Sequence, residues 1–263
     1  MRQTVSAIGI GIVAGLFSGL LGVGGGVLLV PAMVLLLHYS QHRAHGTSLA
    51  VILFVAVAGL SGYIRAGQIS WPIAGGLAVG GILGAVLGAR LAGKLPAATL
   101  RRVFGAFLIL VALRMLYDVA GALVWGHSAV AAENGLAMAD EWPALVSPGI
   151  GLVAGILSGL LGVGGGIILV PAMVLLLGLS QTMAQGISLA VIIPTAISGA
   201  VVHYRQGNIQ LRDVLWLAVG GVAGGLGGSE LALVLPVLAL RGLFGVLMVV
   251  VGISMVLPKQ RAT

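Results

Sequence analysis

Apolar residues run through this chain in long unbroken stretches, at residues 5–21, 27–37, 47–62, 71–91 and 103–125, and five more follow 140 residues further on. Runs of that length, rich in glycine and sparse in charge, predict buried or membrane-spanning helices. Shifting the sequence by 140 residues aligns the halves without a gap: Gly15 falls on Gly155, Pro31 on Pro171, Ser48 on Ser188, Arg101 on Arg241. Between Gly9 and Ile52, 33 of 44 positions equal their partners, which points to a gene duplication. The halves are residues 1–125 and 148–263, joined by a linker at 126–147 expected outside the cytoplasm, and together they read as one membrane domain.

The second stretch of each half is too short. Residues 27–37 are 11 residues, about 16 Å of helix against a hydrocarbon core about 30 Å thick. They are expected to form a half-crossing, preceded by a break at the glycine knot Gly22-Val23-Gly24-Gly25-Gly26, because three adjacent glycines interrupt a helix. The same knot recurs at Gly162-Val163-Gly164-Gly165-Gly166.

Composition sharpens this picture. The chain is 59% hydrophobic and 7% charged, whereas soluble domains carry about 25% charged residues. An all-α polytopic membrane protein follows. The net charge of +7 does not imply nucleic acid, since the basic residues sit singly in short connections. With no cysteine there is no disulfide, thiolate metal site or cysteine nucleophile. The N-terminal run resembles a signal peptide, but its counterpart at 149–161 is internal, so it reads as a retained helix.

Five stretches per half is an odd number, so the halves are expected to face opposite ways. Lysine and arginine collect in cytoplasmic loops. With both termini cytoplasmic, the inner side receives Arg2, Arg43, Lys94, Arg101, Arg102, Arg205, Arg212, Lys259 and Arg261, and the outer side Arg65 and Arg241. Four crossings per half would leave no bias. The expectation is therefore two inverted-topology repeats, with eight full crossings plus broken segments at the knots.

Non-helical backbone at membrane depth must be buried or line a wet cavity, and broken helices at matching positions of two repeats point to a transporter's binding site. The N–H groups starting at Val27 and Ile167 suit an anion. Candidate site residues are Gly22, Gly24, Gly25, Gly26, Gly162, Gly164, Gly165 and Gly166, with Ser18 and Ser158 one turn earlier and Gln41 and Gln181 after the short helices. Thr47, Ser48 and Ser188 open the third helices, where they serve either the site or as N-caps. His45 titrates in the right range for proton coupling but stands opposite Gln185. Arg65 and Arg205, each in R-x-G-x-I, offer an arginine fork for a sulfonate or carboxylate, or simply face headgroups. Arg114 and Asp118 suggest a helix-end ion pair. By contrast, Gly11, Gly15 and Gly19, Gly80, Gly84 and Gly88, and Gly220, Gly224 and Gly228 keep the four-residue spacing of helix packing.

The doubled G-x-G-G-G-x-x-x-V-P knot, followed about fifteen residues later by A-x-G-[TI]-S-L, resembles the TauE/SafE sulfite exporter family, also called toluenesulfonate uptake permeases. The likeness covers essentially the whole chain. It implies a bacterial inner-membrane transporter of sulfur-containing anions such as sulfite, sulfoacetate or aromatic sulfonates, and places Gly22, Gly24, Gly25, Gly26 and Pro31, with Gly162, Gly164, Gly165, Gly166 and Pro171, in the family motif. Ile187 in place of Thr47, and Gln185 opposite His45, make a symmetric site polar mainly on one side.

The expected protein is a secondary transporter moving a small anion by alternating access, without a cofactor. No ATP-binding motif is present, so an ion gradient, the membrane potential or the substrate gradient drives it. The rival readings are an anion channel, a transporter of other organic anions, and an intramembrane enzyme, which has no HExxH, cysteine or paired carboxylates to work with. The partners expected are a small anionic substrate and the lipid bilayer, with no nucleic acid; proton or ion coupling and self-association are left open.

Overall fold

The computed structural model describes residues 2–92, 97–125, 142–161 and 165–257. Over those residues the chain forms helices and no strand: α1 (Arg2–Leu21), α2 (Gly26–Leu36), α3 (Gln41–Arg65), α4 (Trp71–Ala92), α5 (Ala97–Trp125), α6 (Trp142–Leu161), α7 (Gly166–Leu176), α8 (Gln181–Arg205), α9 (Leu211–Val234) and α10 (Val237–Val256).

Local chemistry sets several boundaries. Ser40 and Ser180 cap α3 and α8, accepting from the N–H of Arg43 and Met183. The third helices therefore begin a turn and a half before Thr47 and Ser48, which lie inside α3 and are not caps. At the far ends, Gly67 and Gly207 adopt φ of 68° and 70°, and Gln68 N–H and Asn208 N–H return to the carbonyls of Tyr63 and His203. The R-x-G sequences are thus helix stops, and Arg65 and Arg205 sit in the last turn, where a cation complements the helix dipole.

Glycine packing assembles the bundle. A Cβ on Gly11, Gly15 or Gly19 of α1 would run into backbone of α9 at Leu217, Gly221 and Gly225, while Gly220, Gly224 and Gly228 press on the carbonyls of Ile8, Ile12 and Leu16. Both sets of numbers rise together, so α1 and α9 are parallel. Gly80, Gly84 and Gly88 of α4 meet α6 at Pro148, Leu152 and Ile156 in the same manner. The first helix of each half therefore packs on the fourth helix of the other. In lipid, close backbone approach supplies the packing energy that hydrophobic burial cannot.

At the centre, α3 and α8 lie antiparallel. A Cβ on Gly46 near the start of α3 would come 2.6 Å from the Asn208 carbonyl oxygen just after α8, and one on Gly186 near the start of α8 would come 2.8 Å from that of Gln68 just after α3. α3 and its counterpart in sequence, α8, thus run in opposite directions. On the flank, α5 and α10 pair through Gly105 and Gly252, and Arg101 donates to the Met255 and Leu257 carbonyls at the end of α10 (3.1 and 2.9 Å).

Large apolar side chains on the outside, such as Leu110 and Leu123 of α5, Leu145 of α6 and Val234 of α9, are exposed as a lipid-facing surface would require. Among the described residues seven helices are long and apolar enough to span a membrane: α1, α3, α4, α5, α8, α9 and α10. Of the eight full crossings expected, the one by α6 is absent from that group, because its described apolar stretch is the shorter Trp142–Ser158. Both α2 and α7, at 11 residues, cannot cross. Arg114 and Asp118 do pair, but inside α5 rather than at its end.

Overpacking typically costs 1–3 kcal/mol, and more against rigid backbone, at about 2–4 °C of melting temperature per kcal/mol. Gly15→Leu should therefore lower the melting temperature in detergent by roughly 6–12 °C. Gly9→Leu, on the same helix with open space around it, should leave it within about 2 °C.

Candidate functional site

The first knot breaks the helix. α1 ends at Leu21, Gly22 N–H closes on the Ser18 carbonyl (2.8 Å), and α2 begins at Gly26. Between them Gly22, Gly24 and Gly25 have φ of 69°, 80° and 73°, the left-handed region that side chains resist. Gly25 accepts at its carbonyl from the N–H groups of Leu28 (3.0 Å) and Leu29 (2.9 Å). The N–H groups of Val23, Gly24, Gly25, Gly26 and Val27 have no hydrogen-bond acceptor among the described residues.

Two serines flank these donors. Ser18, fully buried, has its Cβ 3.4 Å from where a Gly25 Cβ would stand. Ser48, 2% exposed, holds its Oγ 3.7 Å from the corresponding point on Gly26. Neither hydroxyl has a partner among the described residues. Buried polar groups are nearly always satisfied, so two bare hydroxyls beside a run of free amides mark a place built for something else. A hollow of about 10 Å³ opens there, lined by Ser18, Val23 and Gly25 with Phe17, Val27, Leu28 and Leu247.

The second half clasps this break. Ser188 donates to the Gly22 carbonyl (2.7 Å), and Gly22 backs onto Gln185 of α8. Gly166, at the start of α7, approaches so closely that a Cβ would stand 2.7 Å from the Gly22 oxygen and 2.8 Å from Val23 Cα. The start of α7 therefore touches the first break. Beside the contact lies a cavity of about 50 Å³ between α4, α6 and α8, walled by Gly81, Ala85, Ser158, Gly165, Ile192 and Thr195 among others. One water needs about 10–15 Å³ on this scale, so the cavity has room for about three to five non-hydrogen atoms. Ile192 joins both places: it lines the cavity, and its Cδ1 lies 3.0 Å from the Cβ positions of Gly24 and Gly166.

The expected site residues divide. Gly22, Gly24, Gly25, Gly26, Ser18, Ser48, Ser188, Gly165, Gly166 and Ser158 cluster at the two breaks and the cavity. Gly162 and Gly164 lie outside the described residues. Thr47 is committed elsewhere, its Oγ1 accepting from the Gln210 N–H at 3.2 Å. Gln41 is exposed and His45 half-buried at the start of α3. Gln181 is fully buried with both amide atoms unpartnered. Arg65 ends α3 in an ion pair with Glu230, and Arg205 is exposed at the end of α8, both away from the knots.

Sequence reasoning passed over Thr195 and the paired Ile52 and Ile192. The stripe Gln181, Gln185, Ser188, Ile192, Thr195 on α8, at helical spacing, was the signal available. Its residues run from a buried end, past the knots, to the cavity.

A profile of proteins described as "Sulfite exporter TauE/SafE" matches residues 1–115 and 148–263. The chain belongs to the TauE/SafE family. It is 28% identical over 234 residues to "Probable membrane transporter protein YunE" of Bacillus subtilis, covering 84% of this chain and 86% of that one. A Xylella fastidiosa protein, also named a membrane transporter, is 27% identical over 97% of this chain and 96% of its own length. MamO of Magnetospirillum gryphiswaldense is 26% identical over 92% of this chain, which spans 43% of that longer protein. No solved structure matches. Helices, family and relatives agree that this TauE/SafE member is a multi-pass membrane transporter.

The two equivalent serines should behave oppositely. Ser188→Ala, which strips the Gly22 carbonyl of its buried donor, should destabilise by about 1–3 kcal/mol, whereas Ser48→Ala, which removes a bare hydroxyl, should leave stability unchanged or raise it. Thermal unfolding in detergent reads both.

Proposed function

We propose that this protein is a secondary transporter of small sulfur-containing oxyanions, such as sulfite or a short organosulfonate, binding them at the meeting point of the two glycine breaks. The observation that carries this is the set of unpaired donors at the first break. Five backbone N–H groups and two buried serine hydroxyls lie there without a partner among the described residues, and the described acidic residues are elsewhere. Asp118 pairs with Arg114, Glu230 with Arg65, and Asp213 accepts from Tyr39. Hydrogen bonds to an ion from preorganised donors in a dry site are stronger than between neutral groups, and such a lining disfavours cations. Next to these donors, the separate 50 Å³ cavity walled by Ser158, Gly165 and Thr195 has room for a compact anion of three to five heavy atoms.

Sulfur specificity rests on the family description, and the direction on its word exporter. The charge pattern supports cytoplasmic termini and inversion of the halves, and the family likeness supports a bacterial inner-membrane location. The antiparallel course of α3 and α8 supports the same inversion, and alternating access follows from two such halves meeting at one site.

Purified protein in liposomes loaded with sulfite, sulfoacetate, thiosulfate, sulfate or acetate should show saturable flux of at least one sulfur anion. Ser18→Ala/Ser48→Ala should reduce it tenfold or more while the fold is kept. Flux that rises linearly with concentration would indicate a channel, and preference for acetate would indicate a carboxylate carrier; either overturns the reading.

A further inference from the structure

The two halves are alike in sequence but not in how tightly they close. Along the α3–α9 seam, Val55 Cγ2 lies 2.5 Å from where a Gly221 Cβ would stand, the Val55 carbonyl 3.0 Å from that of Gly225, and Ser229 Oγ 2.5 Å from that of Gly62. One repeat length away, the equivalent positions on α8 and α4 are Thr195, Gly81, Ala85 and Val202. There a Cβ on Gly81 would meet only the Gly151 oxygen, at 3.8 Å, and the 50 Å³ cavity opens between the helices. Exposure follows the same division. Tyr63, Gln185 and Gln181 are fully buried, whereas their counterparts His203 and His45 are half-buried and Gln41 is exposed.

Tyr63 also fastens the closed end, donating to the Gly19 carbonyl at 2.7 Å with Gln185 Oε1 3.2 Å away, and the Arg65–Glu230 ion pair lies over it. One repeat length earlier, the position of Glu230 is held by Arg90. By repeat equivalence, positions 90 and 205 correspond to Glu230 and Arg65, and each is an arginine. Opposite charges therefore hold one gate shut and like charges oppose shutting the other.

Behind the shut gate, Gln181 has both amide atoms, and Gln185 its Nε2, buried without a partner. Such groups are costly in a dry interior but natural on the wall of a wetted passage. Together with Ser188 they form one face of α8 leading to the knots.

We infer that the structure is one of two access states, shut at the Arg65 end and open at the Arg205 end, and that Arg65–Glu230 and the Arg90/Arg205 pair are the charge asymmetry that sets their balance. In the second state Thr195 closes on Gly81, Val55 parts from Gly221, and Gln181, Gln185 and Ser188 line an opened vestibule. This deepens the alternating-access reading, but its test needs no transported anion.

The natural chain lacks cysteine, so single cysteines report cleanly. In proteoliposomes treated with a water-soluble maleimide, Thr195→Cys should react at least tenfold faster than Val55→Cys. Adding Glu230→Gln or Glu230→Arg should speed Val55→Cys three- to tenfold and slow Thr195→Cys. Adding Arg90→Glu, which supplies the missing acid, should slow Thr195→Cys by a similar factor. Size-exclusion profiles identify any variant that misfolds, and Arg90→Glu and Glu230→Gln test the idea from opposite ends. Equal reactivity of the two cysteines, or rates unmoved by all three charge changes in folded protein, would overturn the inference. Gating that responds as described alongside absent sulfur-anion flux would instead refute the substrate and leave the gates standing.

Discussion

Main-chain amides that leave helical geometry inside an apolar molecule have nowhere to hide, and this protein is organised around that constraint. Each unsatisfied group in hydrocarbon costs several kcal/mol, so a broken helix survives only inside a protein jacket. Here the jacket for the first break comes from the second half, through Ser188, Gln185 and Gly166. The first half does not enclose its irregular backbone alone. The crosswise pairing of α1 with α9 and α4 with α6 serves the same end, locking the repeats together by contacts too close for any side chain.

Much of this was legible in the sequence. The break at Gly22–Gly26 follows from glycine's backbone freedom, the short α2 from counting residues against bilayer thickness, and the packing role of Gly11, Gly15 and Gly19 from their spacing. What spacing withheld was the partner. Nothing along the chain says that those glycines face α9 rather than α4, because both helices carry the same period.

The site was legible in its backbone and less so in its side chains. Ser18 and Ser48 stand beside the donors as their proximity to the knot suggested, but Thr47, its neighbour in sequence, points to the start of α9 and is engaged there. A one-residue step on a helix turns a side chain by about 100°, so adjacent polar residues rarely share a task. The arginines were ambiguous for a different reason: R-x-G marks a helix stop, and the last turn attracts a cation whether or not a substrate is near. Identity between the repeats also concealed function, since the informative positions are where they differ, as Glu230 does from Arg90.

The α1–α9 pairing has a consequence for biogenesis. α1 emerges from the ribosome first, with its glycine face bare, and its partner is not made until residue 211 onward. At about 5–20 residues per second that is a wait on the order of 10–40 s. Through that interval a helix rich in glycine must be sheltered by lipid, by the translocation machinery or by a neighbour it will later abandon. Chains cut short before α9 would leave that face without its match, so membrane quality control is given a simple criterion for completeness.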